Sequence, residues 1–313
     1  MHTTTHPPRW WGSFARLPAA GALVLALTGA AWAQTTASIH GTITDTSGGV
    51  LPGVAVTATN TLTNATHAAR TDRGGAYAFP ELPIGSYSVR AELDGFTSVS
   101  REGIALSLNR SARVDFSLAV GTQTETITVV SDAPLVDGRS NEMGSVIDER
   151  RIQQLPLNGR NALALVSLVP GAQNLQSDNQ QGFESNRVAF NGARPELSSY
   201  LLDGGDNTQT LRNYGNPVPN PDALEETRVI SNNYSAEYGR SVGAIVNVVT
   251  KSGTNTLHGS AFEFFRNDAL NGEDPFAGTS LKLDQHQFGA TLGGPLVKDR
   301  TFFFVAYQGL RVQ

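Results

Sequence analysis

The chain contains no cysteine, which excludes disulfides, thiolate metal centres and a cysteine nucleophile together. Charge is also sparse. Only 16% of the 313 residues are Asp, Glu, Lys or Arg, and they balance to −5, so there is no basic footprint for nucleic acid. No apolar run of twenty residues occurs in the body of the chain, and no helical membrane span is expected. Stability must come from packing and sheet hydrogen bonding. Hydrophobic residues make up 39% and glycine contributes 32 positions, with Thr, Ser and Asn recurring between short apolar runs. That texture argues against disorder and for short strands joined by turns.

The amino terminus reads differently. Arg9 and Arg16 precede an apolar stretch from Ala19 to Leu27, and Ala31-Trp32-Ala33 supplies the small-x-small pattern of a signal peptidase site. Residues 1–33 are therefore expected to be an export signal cleaved between Ala33 and Gln34, since the apolar core is too short for a permanent anchor. Loss of Arg9 and Arg16 with it takes the net charge from −5 to −7.

From 36 to 119, alternating segments are punctuated by turns at the rhythm of a β-sandwich. Ser38–Asp45, Val54–Thr59, Ala65–Thr71, Ala76–Phe79, Ser86–Ala91 and Ala112–Leu118 are the expected strands. The strings Gly41-Thr42-Ile43-Thr44-Asp45, Leu51-Pro52-Gly53-Val54, Thr71-Asp72-Arg73-Gly74-Gly75-Ala76-Tyr77 and Leu82-Pro83-Ile84-Gly85-Ser86-Tyr87 resemble the carboxypeptidase regulatory-like domain. The resemblance implies a transthyretin-like sandwich. No histidine has a glutamate three positions on, as a metallocarboxypeptidase would need, so a structural or binding role is expected. Tyr77 and Tyr87 are either core residues or stacking platforms for a sugar.

Residues 120–135 read as a linker containing a β-prone segment. Residues 136–254 change character, with a strand and helical turn from Ser145 to Ile152, an apolar short helix from Ala162 to Val169, and an acidic turn from Ala223 to Val229. An Ile/Val-rich strand from Gly243 to Thr250 closes the segment. Leu155-Pro156-Leu157-Asn158-Gly159-Arg160-Asn161, Tyr200-Leu201-Leu202-Asp203-Gly204-Gly205-Asp206-Asn207 and Asn232–Gly253 resemble, in family order, the plug domain of TonB-dependent outer-membrane receptors of the Oar-like type. That resemblance implies a mixed α/β plug, an outer-membrane location with the sandwich and plug entry on the periplasmic side, and energised uptake of a ligand such as a glycan or peptide. It also makes Glu125, Thr126, Ile127, Thr128, Val129 and Val130 resemble a TonB box, the strand that pairs with a TonB-type inner-membrane energy-coupling protein. No catalytic residue, metal or cofactor is implied.

Residues 255–313 read as the opening strands of a β-barrel in contact with outer-membrane lipid. Phe262 and Phe264 are expected to face lipid and Ala261 and Glu263 the interior; Phe288, Ala290 and Leu292 repeat the lipid-facing pattern. Gly293 to Arg300 is the expected turn, and Thr301–Tyr307 an aromatic strand. A plugged barrel needs about twenty-two strands and about three are present, so the chain is expected to be a fragment or a broken gene product that cannot transport alone. The fold class is thus mainly β: sandwich, mixed α/β plug and a truncated transmembrane barrel.

Three rival functions attach to particular strings. The first is an exported carbohydrate-binding sandwich at the cell surface or in the periplasm. The second is a hydrolase built on Gly239-Arg240-Ser241-Val242-Gly243, which would need a strand before it and a helix after it. The third is calcium binding at Asp203-Gly204-Gly205-Asp206-Asn207, which lacks the spacing and closing glutamate of a calcium loop.

Overall fold

The computed structural model describes residues 36–121, 127–130, 141–155, 157–175, 187–239, 241–270 and 284–312. The export signal with Ala33 and Gln34, and Glu125 and Thr126 of the candidate box, lie outside these residues.

The strand β1 (Thr36–Asp45) buries alternate residues, as a strand between solvent and core should. It pairs antiparallel with β4 (Ala76–Pro83) on one side, and parallel with β7 (Ser111–Arg113) and then β8 (Phe116–Leu118) on the other. The break between β7 and β8 is repaired by a side chain: the Thr42 amide donates to Asp115 Oδ1 at 2.8 Å. Tyr77 Oη donates to the Val114 carbonyl at 2.6 Å. The opposing sheet runs β3 (Thr66–Arg70), β2 (Ala55–Asn60), β5 (Gly85–Glu92), β6 (Val99–Leu106), β9 (Ile127–Val130). Both sheets close on one core that includes Ile39, Ile43, Val56, Phe79, Tyr87 and Leu118. Tyr77 and Tyr87 are buried in it, and Tyr87 Oη donates to the Pro83 carbonyl. Neither ring face is available to a sugar.

β6 is an addition to the expected strands. Its register against β5 shifts between Tyr87 and Val89, opposite Glu102 and Gly103, and Gly103 has a φ of 76°. A bulge of this kind adds a residue and breaks the two-residue period by which strands are read.

In the plug segment, β10 (Met143–Asp148) leads into helix α1 (Glu149–Gln154), whose amino end is capped by the Asp148 carboxylate accepting from the Arg151 amide. The sheet order is β10, β15 (Leu224–Asn232), β16 (Ile245–Thr250), β13 (Ser199–Leu202), β14 (Gly205–Asp206), with β13 and β16 parallel. Helix α1 and the 3₁₀ turns of Ala162–Leu168 cover one face, enclosing Ile147, Ile152, Leu163, Val166, Val229 and Val246. The acidic segment expected as a turn is instead the start of β15, which is flanked on both sides and largely buried. A short ribbon of β11 (Ala172–Asn174) and β12 (Val188–Phe190) stands beside this sheet.

The last sheet is a meander of β17 (His258–Asn267), β18 (Asp284–Val297) and β19 (Thr301–Val312). The turn is shorter than expected, because Val297 already pairs with Thr301. Gly293 and Gly294 continue the strand; a Cβ at Gly293 would lie 2.8 Å from both His258 Nε2 and a Phe304 ring carbon. The face assignment of β17 also needs correction. Glu263 pairs with Phe288 and Ala261 with Ala290, so the Phe288 face carries Ala261 and Glu263, while Phe262 and Phe264 lie on the other. Arg160 of the plug stacks over those two rings at 4.2 and 4.4 Å. Phe262 and Phe264 therefore face the plug, and Phe288, Leu292, Val305 and Tyr307 form the exposed face away from it.

Candidate functional site

Four arrangements outside the cores hold polar groups in specific geometry. The first is the seat of β9. After β8 the chain is led along the 95–97 loop, where the Thr97 amide donates to the Ala119 carbonyl at 2.8 Å and the Gly121 amide to the Gly95 carbonyl at 3.1 Å. β9 then pairs parallel with β6, from Val99 opposite Ile127 to Glu102 opposite Val130. Four residues of the candidate box are thus an edge strand of the sandwich.

The second is a clamp between sandwich and plug. Immediately past β6, Leu108 is fully buried. Its amide donates to Glu226 Oε1, and its carbonyl accepts from Arg228. Arg228 Nη2 also reaches Glu142 Oε2 at 2.9 Å, and the neighbouring Asn109 side chain donates to Tyr238 Oη. Both backbone groups of one residue are therefore held by charged side chains from a single face of β15, which satisfies groups that would otherwise be costly to bury. Burial pushes the Glu226 carboxyl up, against the Leu108 hydrogen bond, and pushes Arg228 down. Burial likewise pushes Tyr238 up to about 12.

The raised Glu226 carboxyl has a pH consequence. A group whose folded pKa exceeds its unfolded value contributes most below the unfolded value, and that contribution is lost as pH rises through the folded pKa. Its ordinary value is 4.5. Melting followed from pH 7 down to pH 4.5 should show a stability gain that Glu226→Gln removes, because the amide oxygen still accepts from Leu108 but no longer titrates. Equal pH slopes in the two proteins would refute the assignment.

The third arrangement is the contact of the plug with β17. Arg160 sits between Asp222, its ion-pair partner, and the rings of Phe262 and Phe264. Burial lowers its pKa, against Asp222. A cavity of about 430 Å³ opens beside it, lined by Ile152, Leu155, Arg160, Phe264, Gln285 and Gln287 among others. The fourth joins turn tips. Asn64 and Asp299 both occupy left-handed backbone positions, which Asn and Asp tolerate. Asn64 Nδ2 and Asn255 Nδ2 donate to Asp299 Oδ1 at 2.9 and 2.8 Å, and the Asn255 amide donates to the Leu62 carbonyl at 2.9 Å.

The other singled-out strings are structural. Ser241 Oγ is engaged with the carbonyls of Leu197 and Ala244, and the chain runs on from it into the strand β16 rather than the helix a nucleophile elbow requires. Asp203 is taken up by Thr250, through its amide and hydroxyl at 2.8 Å each, and Asp206 by the Thr208 amide. No cluster of metal-ligating residues occurs among the described residues. For the Leu108 clamp the sequence offers a single signal, the charged pattern of Glu225-Glu226-Thr227-Arg228, and that pattern reads locally as a turn.

Three family models match along the chain: the carboxypeptidase regulatory-like domain at 38–119, the TonB-dependent receptor plug domain at 139–245, and an outer membrane β-barrel domain at 249–313. This is the domain order of a TonB-dependent receptor. The TonB-dependent transporter Oar of Myxococcus xanthus is 30% identical over 295 residues, 89% of this chain and 27% of its own length. The probable TonB-dependent siderophore receptor PirA of Acinetobacter baumannii is 32% identical over 171 residues, 50% of this chain and 21% of its own. The chain spans about a quarter of the length of the TonB-dependent relatives it matches. Among solved structures, the E. coli outer membrane transporter YddB aligns with 54% of this chain and 26% of its own, at a TM-score of 0.43 and 14% identity. The siderophore receptor PirA aligns with 54% of this chain and 24% of its own, at a TM-score of 0.40 and 23% identity. The barrel-domain match and the TonB-dependent relatives place the chain at the outer membrane.

Proposed function

We propose that the chain forms the coupling and gating part of an outer-membrane uptake receptor, with Ile127–Val130 as the segment gripped by a TonB-type inner-membrane protein. The sandwich and the plug entry lie on the periplasmic side, and the Phe288–Tyr307 face meets lipid. The observation that carries the reading is the succession of sandwich, edge strand, plug and alternating strands, with the edge strand following the sandwich and preceding the plug along the chain. β-Augmentation suits such a segment, because main-chain bonds supply the grip while side chains need only alternate. The carbohydrate-binding alternative loses its best support with the burial of Tyr77 and Tyr87.

The test is binding of the purified periplasmic domain of a TonB-type protein to this chain by calorimetry. Val129→Pro removes a backbone donor and fixes φ, so binding should disappear, whereas Val129→Ile should bind as the parent does. Loss in both variants would point to side-chain packing, and loss in neither would discard the coupling role.

A further inference from the structure

We infer that the sandwich presents the coupling strand to its partner in place, so that the partner's strand adds to the free edge of β9 and extends the sandwich sheet from five strands to six. The inference rests on the coupling role proposed above and adds where, and on what support, the pairing occurs. The edge position, the chemistry of an open edge and the proposed role converge. β9 is the last strand of its sheet, bonded to β6 on one side and to no strand among the described residues on the other. An open edge of this kind carries a row of main-chain donors and acceptors that only water or another strand can satisfy. The residues at that edge are the segment proposed above to bind the partner, and not an arbitrary part of the domain.

The support itself matters energetically. Ordering backbone residues costs conformational entropy, and a strand already extended against β6 has met that cost before the partner arrives. The seat also has a mechanical consequence. β6 ends at Leu106, and Leu108 is gripped by Glu226 and Arg228 of the plug. A pull applied to the six-stranded sheet would reach β15 through β6 and the Leu108 clamp. Release of β9 as a free peptide would remove that path.

The absence of cysteine makes the test clean. Glu102 and Val130 are register partners, so Glu102→Cys with Val130→Cys, oxidised by diamide in the intact chain, should crosslink in high yield and lock β9 onto β6. Glu81→Cys with Val130→Cys is the control, because Glu81 lies on β4 in the other sheet. The probe is the periplasmic domain of the TonB-type protein. The oxidised Glu102/Val130 protein is expected to bind it within about twofold of the reduced form, or more tightly. Two results overturn the inference: a crosslink yield no higher than in the control, or binding that falls about tenfold or more on oxidation and returns on reduction, which would mean that the partner takes a released strand. Val129→Pro is measured alongside. Normal binding by that variant would remove the coupling role itself, while the crosslink yield would still report where β9 sits.

Discussion

Arg228→Ala is expected to destabilise the protein by about 3–5 kcal/mol, the range for removing one member of a buried charged group. The substitution leaves the Glu142 carboxylate without the Nη2 donor 2.9 Å away and the Leu108 carbonyl without its guanidinium. It also removes the cation that offsets Glu226, whose carboxyl burial already pushes up. Denaturant unfolding followed by tyrosine fluorescence measures the loss. Arg228→Lys should recover only part of it, since an ammonium cannot fork between the Glu142 oxygen and the Leu108 carbonyl. Joint replacement of Glu142, Glu226 and Arg228 by Leu, Leu and Met should cost less than Arg228→Ala alone, because no buried charge is then left unpaired. A single alanine that costs below about 1 kcal/mol, the range of an exposed pair, would show that the clamp is wet.

Gly41→Ala is expected to cost about 3 kcal/mol, at the top of the usual range for overpacking. A Cβ there would stand 1.9 Å from the Val114 carbonyl oxygen, 2.7 Å from its carbon and 2.9 Å from a Tyr77 ring carbon. Two of these neighbours are backbone, so relief requires moving β7 and β8 off β1 and breaking the Tyr77–Val114 hydrogen bond. Gly53→Ala supplies the contrast. Its φ is +77° with nothing within 4 Å of the added carbon, so only left-handed strain of about 1–2 kcal/mol is incurred. Chemical denaturation of the two variants side by side tests the ordering. If Gly53→Ala proved the worse, close packing at Gly41 would not be what holds the two sheet edges together.

Much of this fold is written in local patterns, and the exceptions have physical causes. Alternation reveals β1, β2 and β5, whose buried residues fall at every second position. The same rule passes over β6, because the bulge at Glu102 and Gly103 puts two neighbouring exposed residues in mid-strand. β17 carries Phe262, Phe264 and Phe265, which occupy both faces, so composition alone could not say which one turns to the plug. That choice is made by Arg160, a hundred residues earlier in the chain. Glu225 and Glu226 read as exposed because paired acids usually are; the burial of Glu226 depends on Leu108 and Arg228, and on a sandwich domain that a local window never includes. The box segment is recognisable as β-prone, whereas its partner strand is not, since parallel pairing between distant segments leaves no mark in either sequence.

Among the described residues, hydrogen bonds join the sandwich to the rest of the protein at the Leu108 clamp and at the meeting of Asn64 with Asp299 and Asn255. Attachment at two points behaves as avidity. When one contact opens, the other holds the loosened end at an effective concentration in the millimolar range or above, and reclosure outruns departure. Loss of either contact alone therefore leaves the domain in position, and only loss of both lets it swing. Weak surface bonds such as those of Asp299 then draw their importance from the Leu108 clamp rather than from their own strength.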